Sequence, residues 1–305
     1  MRFDLITLFP GFFEGPLHYG VLERALRSGL AEVHTHDLRQ WTHDHHRTVD
    51  DRPFGGGEGM VLKPQPIFDC AESLHVSPKD RRDSTRESVI LLSAQGRRFT
   101  QSTARRLATL DRIVLICGRY EGVDERVAEL LADQELSIGD FVLSGCELAA
   151  AAVIDAVTRL LPGVLGHEDS SRYESFGLGD EVLDSPQGRE RGIQNSTCHP
   201  EDPEHREGDE GPASLQDRQP HPGLPRSTHG SGGLLDYPHY TRPATFRGAA
   251  IPDVLQNGDH AAIRRWRRHA ALAKTFANRP DLLTEANLSD DDREFLAGLQ
   301  SQSSI

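Results

Sequence analysis

Two loops within residues 117–152, CGRYEGVDERVAELLADQELSIGDFVLSGCELAAAA, bring glycines and carboxylates to the ends of strand-like runs. The first offers Gly118, Arg119, Tyr120, Glu121 and Gly122 directly after the apolar run 113–116, the pattern of a strand buried on both faces. The second, residues 137–147, sets Ile138, Phe141, Val142 and Leu143 between Gly139 and Gly145. Glycine lets backbone come close to a ligand, apolar neighbours exclude water, and a carboxylate or guanidinium orients a charged group. In open α/β sheets ligands bind where loops leave the carboxyl ends of strands. Two such loops close together point to one pocket, although an isolated glycine loop is more often a plain turn.

The elements that must position these loops alternate. Strands are predicted over 2–9, 31–38, 89–92 and 113–116, and helices over 12–28, 100–110 and 147–161. The first helix turns Val21, Leu22, Ala25 and Leu26 inward and stops at Gly29, and Thr100 caps the second. The order predicts an α/β protein with a mainly parallel sheet. No GxGxxG follows a strand, which excludes a conventional dinucleotide site. His43, His45 and His46 lack helical metal spacing and are read as solvated or hydrogen-bonded, so no metal ligands are assigned. Gly55, Gly56, Gly57 and Gly59 cannot be core; such a run can offer successive N–H groups to an anion or admit a base to the backbone. The four cysteines are scattered with no CxxC, as expected of reduced thiols.

A net charge of -13 argues against indiscriminate binding to nucleic acid. Nothing approaches the apolar length of a membrane span, and residues 1–13 lack the basic start and long apolar core of a signal peptide. A cytoplasmic protein is therefore expected. Residues 177–232 are rich in proline, glycine and acidic side chains, with no Phe, Tyr or Trp, a composition that predicts disorder. Order resumes with LLDYPHYTRP at 234–243. Asp259 then caps a helix to about Asn278, with Ile263, Trp266, Ala270, Ala273 and Phe276 on one face. Its other faces carry Arg264, Arg265, Arg267, Arg268 and Lys274, with no acidic residue from His260 to Arg279. Such a run is usually just a solvated face; in an acidic chain, behind His239, Tyr240 and Arg242, it reads equally well as a phosphate-binding ridge. Residues 281–299 read as a short terminal helix pair.

CGRYEGVDER followed by SIGDFVLSGCELAA, with THDHHRTVDDRPFGGGEGM upstream and GLLDYPHYTRP downstream, closely resembles the bacterial tRNA (guanine-N1)-methyltransferases. The resemblance covers residues 1 to about 176 and again about 233 to 298. It implies a knotted, SPOUT-class fold: a mainly parallel α/β sheet with a deep trefoil knot, formed by loops 92–96, 117–122 and 137–146, plus a small C-terminal helical domain. It divides the chain into a knotted catalytic domain (1–170), a linker carrying a long insertion (171–232) and a tRNA-binding domain (233–305). The implied donor is S-adenosylmethionine, assisted in relatives by Mg2+, and the partners are tRNA and a second copy of the chain, with no membrane and no DNA. In that family each site joins the knot of one subunit to the linker and C-terminal domain of the other.

Methylation of guanine N1 needs a base for the ring proton and a positive group for the charge growing on O6. The resemblance places Arg159 at the catalytic arginine and Glu121 beside the methionine part of the donor. Arg159 also stands where a helix C-terminus favours cations, and Glu121 could pair with Arg119. The family's aspartate base aligns with Glu174, one methylene longer; Asp169 lies too early, and Asp180 or Asp184 are alternatives. Implied donor contacts are Leu92, Ser93, Gln95 and Gly96 in the first loop, Gly118, Tyr120, Glu121 and Gly122 in the second, and Ser137, Ile138, Gly139, Phe141, Leu143, Gly145 and Cys146 in the third. Implied RNA contacts are Asp50, the glycines 55–57 and 59, His239, Tyr240, Arg242 and the basic residues 264, 265, 267, 268 and 274. Ala94, Phe141 and Cys146 depart from the usual proline, tyrosine and glycine, and the Cys146 side chain is expected to weaken donor binding. Two rivals follow: a tRNA-binding protein of the same fold with impaired catalysis, and a related knotted enzyme acting on another RNA base.

Overall fold

The structure is a computed structural model that describes residues 1–166, 175–176 and 233–302. Glu174, Asp169, Asp180, Asp184 and the segment 177–232 lie outside the described residues. The strands are β1 (Arg2–Thr7), β2 (Glu32–Asp37), the short antiparallel pair β3 (Asp50–Asp51) and β4 (Val61–Leu62), β5 (Glu87–Arg98), β6 (Arg112–Cys117) and β7 (Gln134–Ser137). Five of them form a sheet ordered β2-β1-β6-β5-β7, and every neighbouring pair is parallel. Alternate side chains face two separate cores. Phe3, Leu5, Ile113 and Leu115 pack under α1 (Gly20–Arg27), α3 (Gln101–Leu107) and α5 (Glu147–Thr158). Ile6, Val89, Val114 and Ile116 pack under α2 (Pro64–Ser73) and α4 (Glu125–Leu130). Burial on both faces is why the run 113–116 is apolar throughout.

The helix predicted over 12–28 is broken into turns at Pro10–Glu14 and Pro16–His18, and α1 begins only at Gly20. Pro16 starts a new turn because its ring fixes φ and it has no N–H to continue the previous one. Leu22 and Ala25 are buried as predicted, Val21 is not, and Gly29 ends the helix at φ 70°. Thr100 caps α3 through a hydrogen bond from the Thr103 N–H.

The strand predicted over 89–92 runs on to Arg98 around an excursion. Leu92 and Arg97 both pair with Leu136, so residues 93–96 leave the ladder and the chain rejoins it. At the return, a Cβ on Gly96 would lie 2.5 Å from the Leu136 backbone nitrogen. Only glycine allows these two backbones to cross so closely. β7 itself has no counterpart in the apolar pattern. It is short and polar, with Gln134 accepting from Arg106 and Glu135 facing a lysine of the C-terminal part.

The C-terminal part has a small antiparallel pair, β8 (Thr245–Phe246) and β9 (Ala249–Ala250), then α6 (His260–Asn278) and α7 (Asp290–Gln302). Phe246 enters the second core edge-on to Phe68, at 5.0 Å between ring centres. Asp259 caps α6 by accepting from the Ala261 and Ala262 N–H groups, as predicted. Of the predicted inward face Ile263 is fully buried and Trp266 and Phe276 partly so. The predicted terminal pair is one turn, Pro280–Thr284, followed by α7.

Candidate active site

A cavity of about 580 Å³ opens beyond the carboxyl ends of β6 and β7 and beside the excursion of β5, within the size range of small-ligand pockets. Leu92, Ser93 and Gln95 form one wall, Gly118, Tyr120, Glu121 and Gly122 a second, and Ser137, Ile138, Gly139, Phe141, Leu143 and Cys146 a third. Of the residues the sequence nominated for the donor, only Gly96 and Gly145 are not in the lining. Gly96 serves the backbone crossing, and Gly145 leaves room for Arg119, whose Nε would lie 2.2 Å from a Cβ there.

Arg119 does not pair with Glu121. Its guanidinium lies over the Phe9 ring at 4.2 Å and donates to Glu147 Oε2 from Nε at 3.1 Å and Nη2 at 2.9 Å. Glu147, 1% exposed, also accepts from the Thr7 hydroxyl at 2.8 Å. Glu121 is thus left to the cavity. It is covered by the glycine run, because a Cβ on Gly59, itself at φ 80°, would lie 2.3 Å from Glu121 Oε1. Tyr120 lies beside Asp50, and burial first and Asp50 second push its hydroxyl pKa up.

Cys146 lines the cavity, and its thiol bridges two of the walls. Its Sγ donates to the Leu92 carbonyl at 3.0 Å and its N–H to the Gly118 carbonyl at 3.1 Å. Burial pushes the thiol up to about 11, so it is protonated near neutral pH and serves as a donor tying two walls together.

The sequence reading missed the pair that joins the two distant motifs. Asp124 and Arg126, both inaccessible, make a bidentate bridge at 2.7 and 2.8 Å. Asp124 Oδ2 accepts from the Thr241 N–H at 2.7 Å, and Arg126 donates to the carbonyls of Thr241 at 2.7 Å and Pro243 at 2.8 Å. GVDER therefore holds PHYTRP; the only available signal was an Asp-x-Arg that no surface role explained. The docked segment adds residues 233–236 and His239 to the cavity wall. His239 meets Asp236 at 3.1 Å, and although burial alone would raise the Asp236 carboxyl, this hydrogen bond draws it below its usual range. Within one chain, residues 233–236 and His239 thus stand where the C-terminal share of the wall is expected.

The basic ridge is also redistributed. Lys274, its side chain 9% exposed, sits 2.9 Å from both Glu125 oxygens and 3.3 Å from Glu135, so it is a buried bridge and not a phosphate contact. Tyr240 is 7% exposed and donates to Glu129, which likewise removes it from any RNA surface. Arg267 lies over Tyr237 and donates to the Gly56 carbonyl at 2.5 Å, so the glycines 55–57 dock α6. Arg268 pairs with Asp292 and Arg242 with Asp51. Arg264 and Arg265 stand exposed. Arg159 is not in the cavity lining: it caps the far end of α5, about 18 Å along a helix of that length from Glu147.

Among the described residues no group of three or more His, Cys, Asp or Glu could hold a metal ion, and no helix is long and apolar enough to cross a membrane. Fold and site define a parallel-sheet α/β protein with a nucleoside-sized pocket built from three glycine-bearing loops. Residues 1–198 and 224–285 match the family described as tRNA (Guanine-1)-methyltransferase TrmD, which narrows the unmatched interval to 199–223. A tRNA (guanine-N(1)-)-methyltransferase of Koribacter versatilis is 53% identical over 302 residues, covering 99% of each chain. Enzymes of the same name from Geotalea uraniireducens and Geobacter metallireducens are 42% and 41% identical, covering 98% and 100% of this chain and 97% and 100% of their own. The chain belongs to the tRNA (guanine-N1)-methyltransferase family.

Proposed function

We propose that this chain transfers a methyl group from S-adenosylmethionine to N1 of the guanosine at tRNA position 37, beside the anticodon, acting as a cytoplasmic homodimer on tRNA and not on DNA. The observation that carries the proposal is the convergence of the three loops on one cavity in a member of this family. The donor supplies an electrophilic methyl on a positively charged sulfur. Leu92, Ile138, Phe141 and Leu143 shield it from water, the glycines at 118 and 139 bring backbone close to it, and Glu121 faces its charged end. Glu174 takes the N1 proton, and Arg159 stabilises the charge growing on O6.

The place of Arg159 at the far end of α5, outside the lining of its own cavity, supports reading it as acting on the site of a second copy. The close crossing at Gly96 and Leu136 supports reading the three loops as the turns of a deep trefoil knot. In the same reading residues 1–170 are the catalytic domain, 171–232 the linker and 233–305 a helical tRNA-binding domain, with Arg264 and Arg265 toward RNA phosphates. Mg2+ remains part of the reading as an assistant of the transfer, with no ligands assigned to it.

The deciding experiment is transfer from labelled S-adenosylmethionine to an unmodified transcript with guanosine at positions 36 and 37. Wild type is expected to make 1-methylguanosine, and Glu174→Ala and Arg159→Ala to lose it. Mixing the two variants should restore part of the activity if Arg159 works across the dimer. A wild type that binds tRNA but transfers nothing would favour the rival binding-protein reading; modification of a different RNA base would favour the other.

A further inference from the structure

The last turn of α6 touches both loops that face each other across the cavity. Asn278 Nδ2 donates to the Gln95 carbonyl at 3.0 Å, inside the excursion from β5. The next residue, Arg279, is 5% exposed and itself lines the cavity. Its Nη1 and Nη2 reach the two carboxylate oxygens of Asp140, in the loop that follows β7, and its Nε and Nη2 are braced by Asp281 at 2.9 and 2.7 Å. Arg98, where β5 rejoins the sheet, donates to the same Asp140 at 2.6 Å.

Around Asp140 the loop is open, with Phe141 and Val142 54% and 87% exposed, and its ties to Arg119 and Gly118 come only later, at residues 144–146. A guanidinium fork against a carboxylate fixes both distance and angle. We propose that Arg279, with Asn278, is a positioning residue for the methyl donor: it sets the separation of the loops carrying Gln95 and Asp140 from outside the sheet. The inference rests on the reading that the cavity takes S-adenosylmethionine.

The test measures donor affinity by calorimetry, tRNA affinity by filter binding and the steady-state constants for Arg279→Ala, Arg279→Lys, Asp140→Ala and the double Ala variant. Arg279→Ala and Asp140→Ala should each raise the donor Kd and KM about tenfold, the loss of one good charge-assisted contact. The double variant should match Asp140→Ala, lysine should recover affinity only in part, and tRNA affinity should stay within about twofold, since the bridge faces the cavity. Equal loss of donor and tRNA binding with a lowered Tm would show a merely structural role and overturn the inference, as would additive singles. Asp140→Ala, on an exposed loop, keeps the test open if Arg279→Ala does not fold. Absence of donor binding by wild type would sink the functional reading instead. The inference would then be decided by hydrogen exchange of residues 138–145, where exchange unchanged in Arg279→Ala overturns it.

Discussion

α5 and α6 both end at the cavity, from opposite directions and by different means. α5 meets it with its first turn and is held by apolar packing, with Ala149, Ala150, Val153, Ile154 and Val157 all buried. α6 meets it with its last turn and adds to its buried Ile263, Ala271 and Leu272 a set of polar contacts through Lys274, Arg279, Arg268 and Arg267. An apolar helix can rotate or repack slightly at modest cost. A buried bridge such as Lys274 with Glu125 and Glu135 fixes one register, because each charge is tolerable only opposite its partner.

Four measurements probe that contrast, in descending order of effect on stability. Lys274→Ala leaves Glu125 and Glu135 buried without a counter-charge, a loss of about 3–5 kcal/mol for a broken buried pair, visible in chemical unfolding. A loss under ~1 kcal/mol would mean that α6 is held by its apolar face after all. Ile154→Val in α5 should cost only about 0.5–1.5 kcal/mol, read the same way. Acid should release α6 from α7 before it touches α5: the hydrogen bonds from Arg268 hold the Asp292 carboxyl at about 2, below its unfolded value of about 3.9. Because the folded value is the lower one, the contribution is complete above pH ~4 and is lost as pH falls through about 2. Trp266 fluorescence should move in that window, and a change confined to higher pH would contradict the assignment. Finally, Arg264→Ala with Arg265→Ala should leave the Tm unchanged while making the salt dependence of tRNA binding shallower by about two phosphate contacts. An unchanged salt slope would move the RNA surface elsewhere.

The same contrast explains what could be read from the chain in advance. The run 113–116, the caps at Thr100 and Asp259 and the stop at Gly29 are local, so periodicity and capping chemistry reveal them. Two of the cavity loops were legible too, because glycine-bearing loops follow strand-like runs twice within residues 117–147. Ion pairs are not local: Lys274 meets Glu125 across 149 positions, so a basic helix facing its own acidic partners looks the same in sequence as one facing RNA. β7 escaped because its polar residues are satisfied by Arg106 and Lys274, neither of them nearby in the chain. Arg159 was assigned by resemblance, and the length of α5 is what sets it apart from the cavity lining.

Asp124 and Arg126, gripping the backbone at Thr241 and Pro243, have a consequence for how this chain can change over generations. The piece bearing GLLDYPHYTRP finds its place by what it touches, not by the length of chain that leads to it. Closing a flexible connection twice as long costs only about 0.6 kcal/mol, so insertions and deletions between the two pieces are nearly free to drift. Asp124 and Arg126 are not: a lone substitution at either strands a buried charge, and a descendant would have to change both together.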